Sequence, residues 1–82
     1  MMAKDDMTSR ALLGKVKRFS ASFVWALLNG DKEKVERWGS RLDCAKWCAE
    51  QRGIDEDTVG WYMRAGAKMA YDFRDKRRCW HD

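Results

Sequence analysis

Apolar residues recur every three or four positions along the chain, in three separate runs. The first run is Leu12, Val16, Phe19, Phe23 and Leu27. The second is Val35, Trp38, Leu42, Ala45 and Ala49. The third is Val59, Tyr62, Met63, Gly66, Met69, Ala70 and Phe73. This spacing places each run on one face of an α-helix. The pattern therefore predicts three helices, each with one buried apolar stripe.

Helix start and stop signals divide the chain at the same places. Thr8 is a good N-cap, and Gly30 tolerates the left-handed conformation that often ends a helix. Asp31 is placed to cap the second helix, and Gly53 to end it. The third helix begins at Asp55, where the next two residues are also acidic and favour the positive end of the helix dipole. The predicted helices are residues 8–28, 32–52 and 56–78.

Short connections between long helices favour antiparallel neighbours. The predicted fold class is therefore all-α, a single-domain bundle of three long antiparallel helices with short flexible tails at residues 1–6 and 79–82. The chain of 82 residues contains no proline that would interrupt a helix. A helix-turn-helix DNA reader is the alternative, but such motifs use short helices about a sharp turn.

Four glycines lie inside the predicted helices, where each costs roughly 1 kcal/mol relative to alanine. Gly66 lies on the third apolar stripe between two alanines, so we expect another helix to approach closely there. The sequence does not explain Gly14, Gly39 or Gly60.

Large aromatic residues lie away from the apolar stripes, close to basic residues. At about 100° per residue, Trp25 falls opposite the first stripe beside Arg18, and Trp47 falls opposite the second. Tryptophan and arginine on a surface are typical of interface hot spots. The alternative is that these side chains cover the seams between helices. The predicted partner-binding residues are Trp25, Arg18, Trp47, Trp61, Arg64, Lys68 and Tyr71.

Basic residues are also concentrated near the end of the third predicted helix. Arg74, Lys76, Arg77 and Arg78 form a possible contact for phosphate or for an acidic surface. Cations at a helix C-terminus also stabilise the helix dipole, which is the structural alternative. The net charge of +4, from 17 Lys and Arg against 13 Asp and Glu, is compatible with an acidic partner without requiring one.

Cys44, Cys48, Cys79 and His81 are the candidate ligands for a zinc ion. Two cysteines four residues apart on a helix point the same way, and three cysteines with one histidine make a closed tetrahedral set. The C-x-x-C knuckle usual in structural zinc sites is missing, so we expect no metal and no cofactor. An odd number of cysteines favours a reducing compartment. With no apolar leader and no membrane-spanning run, we expect a cytoplasmic protein.

No residue set supports catalysis, because the single histidine lies near the end of the chain and no nucleophile has a base nearby in the sequence. We expect a small non-enzymatic protein-binding module that acts as an inhibitor or adaptor on a larger complex, such as one that handles nucleic acid. A phage-type protein that disarms host defence has this build. The alternative is a basic helical protein that binds nucleic acid directly, and self-association into a homo-oligomer is also open.

Overall fold

Three α-helices account for nearly all of the described chain. The computed structural model describes the backbone of residues 8–81 and the side chains of residues 8–76. The helices are α1 (Ser9–Asn29), α2 (Lys32–Gln51) and α3 (Glu56–His81), and residues 8–81 contain no strand. The predicted all-α fold of three long helices is confirmed, whereas the antiparallel arrangement of neighbours stays a prediction. No helix in this range has the length and apolar character that crossing a membrane requires.

The predicted N-caps are present at the first two helices. The hydroxyl of Thr8 accepts a hydrogen bond from the backbone N–H of Ala11 at 3.1 Å. The carboxylate of Asp31 accepts one from the N–H of Lys34, also at 3.1 Å. Each bond satisfies a donor that has no partner within its own helix.

Glycine ends both α1 and α2. Gly30 has a φ of 68° and Gly53 a φ of 78°, a left-handed conformation that side chains disfavour. The residue after each glycine donates its backbone N–H to the carbonyl five residues earlier. Asp31 donates to Ala26 and Ile54 donates to Ala49, both at 3.1 Å. This is the Schellman pattern, and it confirms both predicted helix ends.

Helix α3 is longer than the sequence predicted. It continues through His81, whereas the predicted end was Arg78. The backbone of residues 79–81 is therefore helical, whereas the flexibility predicted for residues 79–82 stays a prediction. No glycine or proline follows Gly66, so nothing in the local sequence stops the helix earlier. The tail predicted at residues 1–6 lies outside the described residues.

The hydrophobic core is centred on α1. Its buried members come from all three helices and are Leu12, Leu13, Val16, Leu42, Ala45, Ala49 and Val59. Four half-buried side chains pack against this cluster, namely Phe19, Ile54, Tyr62 and Met63. Helix α1 packs extensively against both α2 and α3, but α2 and α3 hardly touch each other. The central helix therefore supplies most of what holds the domain together.

Several predicted core positions are not buried. Leu27, Met69 and Phe73 are 52%, 49% and 56% exposed, and Trp38 is only half-buried. The cluster lies where α1 and α3 begin and α2 ends, away from Leu27, Met69 and Phe73. Trp38 lies at the edge of the cluster, where its ring packs against Phe19. Helix α1 instead buries a wide arc that includes Leu13, Ser20 and Ala26, because it has a neighbour on two sides.

Helices α1 and α3 come into close contact at Gly66. A Cβ atom at this position would overlap the backbone carbonyl oxygen of Lys17 and lie 3.0 Å from the Cβ of Ser20. The buried Ser20 hydroxyl donates a hydrogen bond of 2.7 Å to the Met63 carbonyl. The close approach predicted at Gly66 is confirmed. At Gly39 an added Cβ would lie 3.2 Å from the Phe23 ring, so helix packing accounts for this glycine as well.

Two glycine substitutions should change stability in opposite directions. Gly66→Ala should lower the free energy of unfolding by about 1–3 kcal/mol, because the added methyl meets backbone that cannot move aside independently. Gly14→Ala should raise it by up to about 1 kcal/mol, since nothing lies within 4 Å of the new Cβ. Urea denaturation monitored by circular dichroism measures both. Equal effects of the two substitutions would contradict the close contact of α1 and α3.

The same leucine truncation should cost very different amounts at two positions. Leu42 is 6% exposed and Leu27 is 52% exposed. Leu42→Ala should destabilise the domain by about 2–5 kcal/mol, and Leu27→Ala by about 0.5 kcal/mol or less. Midpoints and slopes of urea unfolding give both values. A larger loss at Leu27 than at Leu42 would show that the core is misplaced.

Candidate functional site

A groove of about 700 Å³ runs between α1 and α2. We call it the α1–α2 groove, and no residue of α3 lines it. The lining residues are Leu12, Lys15, Phe19, Ser40, Arg41, Cys44, Ala45, Trp47, Cys48, Gln51 and Arg52. Its walls are mostly apolar, and it is open to solvent along its length. This combination is typical of a surface that another molecule covers.

Trp47 is the most exposed large apolar side chain among the described residues of the α1–α2 groove. It is 60% exposed, and the half-buried Phe19 lines the opposite wall. The thiols of Cys44 and Cys48 are free and exposed on the same wall as Trp47. An indole, a phenyl ring and two thiols therefore present apolar surface to solvent together.

The charged side chains of the α1–α2 groove are all basic. Lys15 lies on the α1 wall, and Arg41 and Arg52 lie on the α2 wall. The Arg41 guanidinium lies 4.8 Å from the centroid of the Trp38 ring, a cation–π contact. Glu50 lines a separate cavity between α2 and α3. Among the described side chains that line the groove, the formal charges are therefore all positive.

A second aromatic and basic surface lies on α3. Trp61 and Tyr71 are 59% and 45% exposed, and Arg64 and Lys68 are exposed as well. Their spacing of three, four and three residues puts all four on one side of the helix. Trp61 also packs edge-on against Tyr62, with ring centroids 4.9 Å apart. We call this surface the α3 outer face.

The side chain of Trp25, on α1, extends towards α3 and is half-buried. Its ring meets that of Phe73 at 77°, with centroids 5.2 Å apart. Both rings line a small apolar cavity of about 290 Å³ together with Met69. Trp25 thus covers the seam between two helices, which was the structural alternative for the off-stripe tryptophans. Arg18 is exposed on α1.

The structure therefore separates the predicted partner-binding residues. Trp47 belongs to the α1–α2 groove, four of the others form the α3 outer face, and Trp25 lies in the α1–α3 seam. Sequence reasoning did not identify the groove itself. A signal was present, because Arg41, Cys44, Cys48 and Gln51 follow helical spacing beside Trp47, forming a second stripe next to the buried one.

The basic segment is described only in part. The Arg74 guanidinium lies 3.3 Å from the Asp75 carboxylate and 5.2 Å from the centroid of the Tyr71 ring. Lys76 is exposed. The side chains of Arg77 and Arg78 lie outside the described residues. Arg74 is therefore already engaged by a carboxylate and an aromatic ring.

The candidate zinc ligands are also described only in part. Cys44 and Cys48 lie on the α1–α2 groove, and the side chains of Cys79 and His81 lie outside the described residues. Among the side chains that are described, no three of His, Cys, Asp or Glu lie close enough to hold a metal ion. The expectation that the protein binds no metal stays a prediction.

Comparison with known proteins gives no match: no protein family, no curated protein and no solved structure matches this chain.

Truncating the tryptophans should separate exposed rings from packed ones. Trp47→Ala and Trp61→Ala should each change the free energy of unfolding by no more than about 1 kcal/mol, because most of each ring is already in water. Trp25→Ala should cost more, about 1–3 kcal/mol, because it removes both buried area and the contact with Phe73. Urea denaturation of the three variants tests the order. If Trp47→Ala lowered the free energy of unfolding more than the other two variants, the Trp47 ring would be part of the core.

Proposed function

We propose that this chain is a non-catalytic protein-binding module that acts by occupying a surface of a larger protein or complex, as an inhibitor or adaptor. The observation that carries the proposal is Trp47, 60% exposed on an apolar groove that no other part of the described chain covers. Exposed tryptophan with arginine beside it is the composition of interface hot spots. Small monomeric domains seldom leave such a surface in water without a use for it.

The size of the domain supports the same proposal. Three helices around one small core leave no enclosed cavity among the described residues, and the cavities found there are open clefts between helices. A chain of this size acts most simply by covering a surface of its target, as a small inhibitor of a host defence complex would. The free, exposed thiols of Cys44 and Cys48 suit a reducing compartment, so we place this activity in the cytoplasm.

Partner capture should depend on the exposed tryptophans. The chain, immobilised through its N-terminus, is incubated with lysate of the organism that encodes it, with and without nuclease. We expect it to retain a defined protein after nuclease treatment. Trp47→Ala should weaken this binding about thirtyfold or more, as for an interface hot spot, while circular dichroism shows an unchanged fold.

Trp61→Ala is the matched control, because it removes the same ring from the α3 outer face. Loss of binding in that variant alone would move the interface to α3. If nuclease abolishes capture and affinity falls steeply with salt, the chain binds nucleic acid directly instead. If neither variant affects capture, the proposed role of the exposed tryptophans is wrong.

A further inference from the structure

We infer that the α1–α2 groove receives an amphipathic α-helix of the partner protein, with acidic residues flanking its apolar face. The inference rests on the proposed function and names the chemistry of the partner. It depends on three properties of the groove: its length, its apolar floor and the sign of its charges.

The dimensions suit a helix. On α2 the lining residues extend from Ser40 to Arg52, which at 1.5 Å per residue is about 18 Å, or about three helical turns. The α1 wall is shorter, extending from Leu12 to Phe19, and both walls are helical along most of their length. A partner helix laid in this groove would pack against two neighbours, as α1 itself does. Helices are recognised in this way through apolar residues at positions i, i+3 or i+4, and i+7.

The floor and the α2 wall supply apolar contacts for such a helix. Leu12 and Ala45 are buried at the base of the groove. Phe19 is half-buried, and Trp47 and the neighbouring thiols stand exposed. Covering these groups would remove from water a ring that α3 does not reach. Trp47 is therefore the anchor on this chain, and the partner contributes the side chains that enter between it and Phe19.

The charges determine which helix is accepted. Lys15 lines the groove from α1 and Arg41 from α2, and Arg52 lines it just after α2 ends. Within residues 8–76 no carboxylate forms an ion pair with Lys15 or Arg41, and no acidic residue lines the groove. A basic helix would be repelled from both walls, whereas glutamate or aspartate beside the apolar stripe would pair with them. Electrostatic complementarity of this kind selects partners more than it adds affinity.

The test uses three fluorescein-labelled synthetic peptides of about 14 residues, the length that covers three to four turns. The first has leucines on one helical face, glutamates flanking that face and alanine and glutamine elsewhere. The second replaces every glutamate with lysine. The third has the composition of the first, with its leucines spread around the helix. Fluorescence anisotropy at low and high salt measures each dissociation constant.

We expect the first peptide to bind at least about tenfold more tightly than either of the others, and more weakly as salt increases. Trp47→Ala should weaken its binding about thirtyfold. The double variant Lys15→Glu, Arg41→Glu should weaken it about tenfold and favour the lysine peptide instead. The control is Lys32→Glu, Arg37→Glu, which makes the same change of charge at two exposed positions of α2 outside the groove lining and should leave binding at high salt unchanged.

Equal binding of the glutamate and lysine peptides, or equal effects of the two double variants, overturns the inference. Should the glutamate double variant fail to fold, Lys15→Gln, Arg41→Gln replaces it, with a smaller loss in the same direction expected. A groove occupied by a second copy of this chain would show as a dimer in sedimentation equilibrium, dissociated by Trp47→Ala, and would also overturn it. The last outcome is capture of a native partner that depends on Trp47 but not on Lys15 and Arg41. That outcome would support the proposed function and contradict only the inference of an acidic helix.

Discussion

The close packing of α1 and α3 at Gly66 constrains the whole arrangement. Because Gly66 has no side chain, α3 can lie directly against the Lys17 carbonyl and the Ser20 side chain. The Ser20 hydroxyl donates a hydrogen bond to the Met63 carbonyl. This polar group is therefore buried between the helices without the free-energy cost of an unpaired donor. This contact fixes α3 on one side of α1 and leaves the other side to α2.

The position of α3 explains why the domain has an uncovered groove. In a closed three-helix bundle each helix contacts both others, but here α2 and α3 hardly meet. Helix α2 therefore has one buried side, towards α1, and a wide exposed surface. Ala45 and Ala49 complete the core from the buried side, and Trp47 stands on the exposed one.

The sequence alone was enough to predict where the helices begin and end, but not how they pack. Thr8, Asp31, Gly30 and Gly53 act within one helical turn, so their effect on helix ends follows from residue type alone. The exposure of Phe73 does not follow from residue type. Periodicity assumes that the buried stripe of a helix has a constant width, but α3 has only one helical neighbour near its end. The α1–α2 groove was missed for the same reason, since it arises from what a third helix fails to cover.

The tryptophans differ in how far contacts within the fold cover them. Trp25 has Phe73 against it, and Trp38 has Phe19 and the Arg41 guanidinium. Each of these rings is thereby accounted for by folding. Trp47 lies 60% exposed on a groove lined with cations, and folding does not account for it. A large apolar ring costs solubility when it is left in water, which is why we propose that a partner covers Trp47. The positive charges of Lys15 and Arg41 are the reason for proposing an acidic partner.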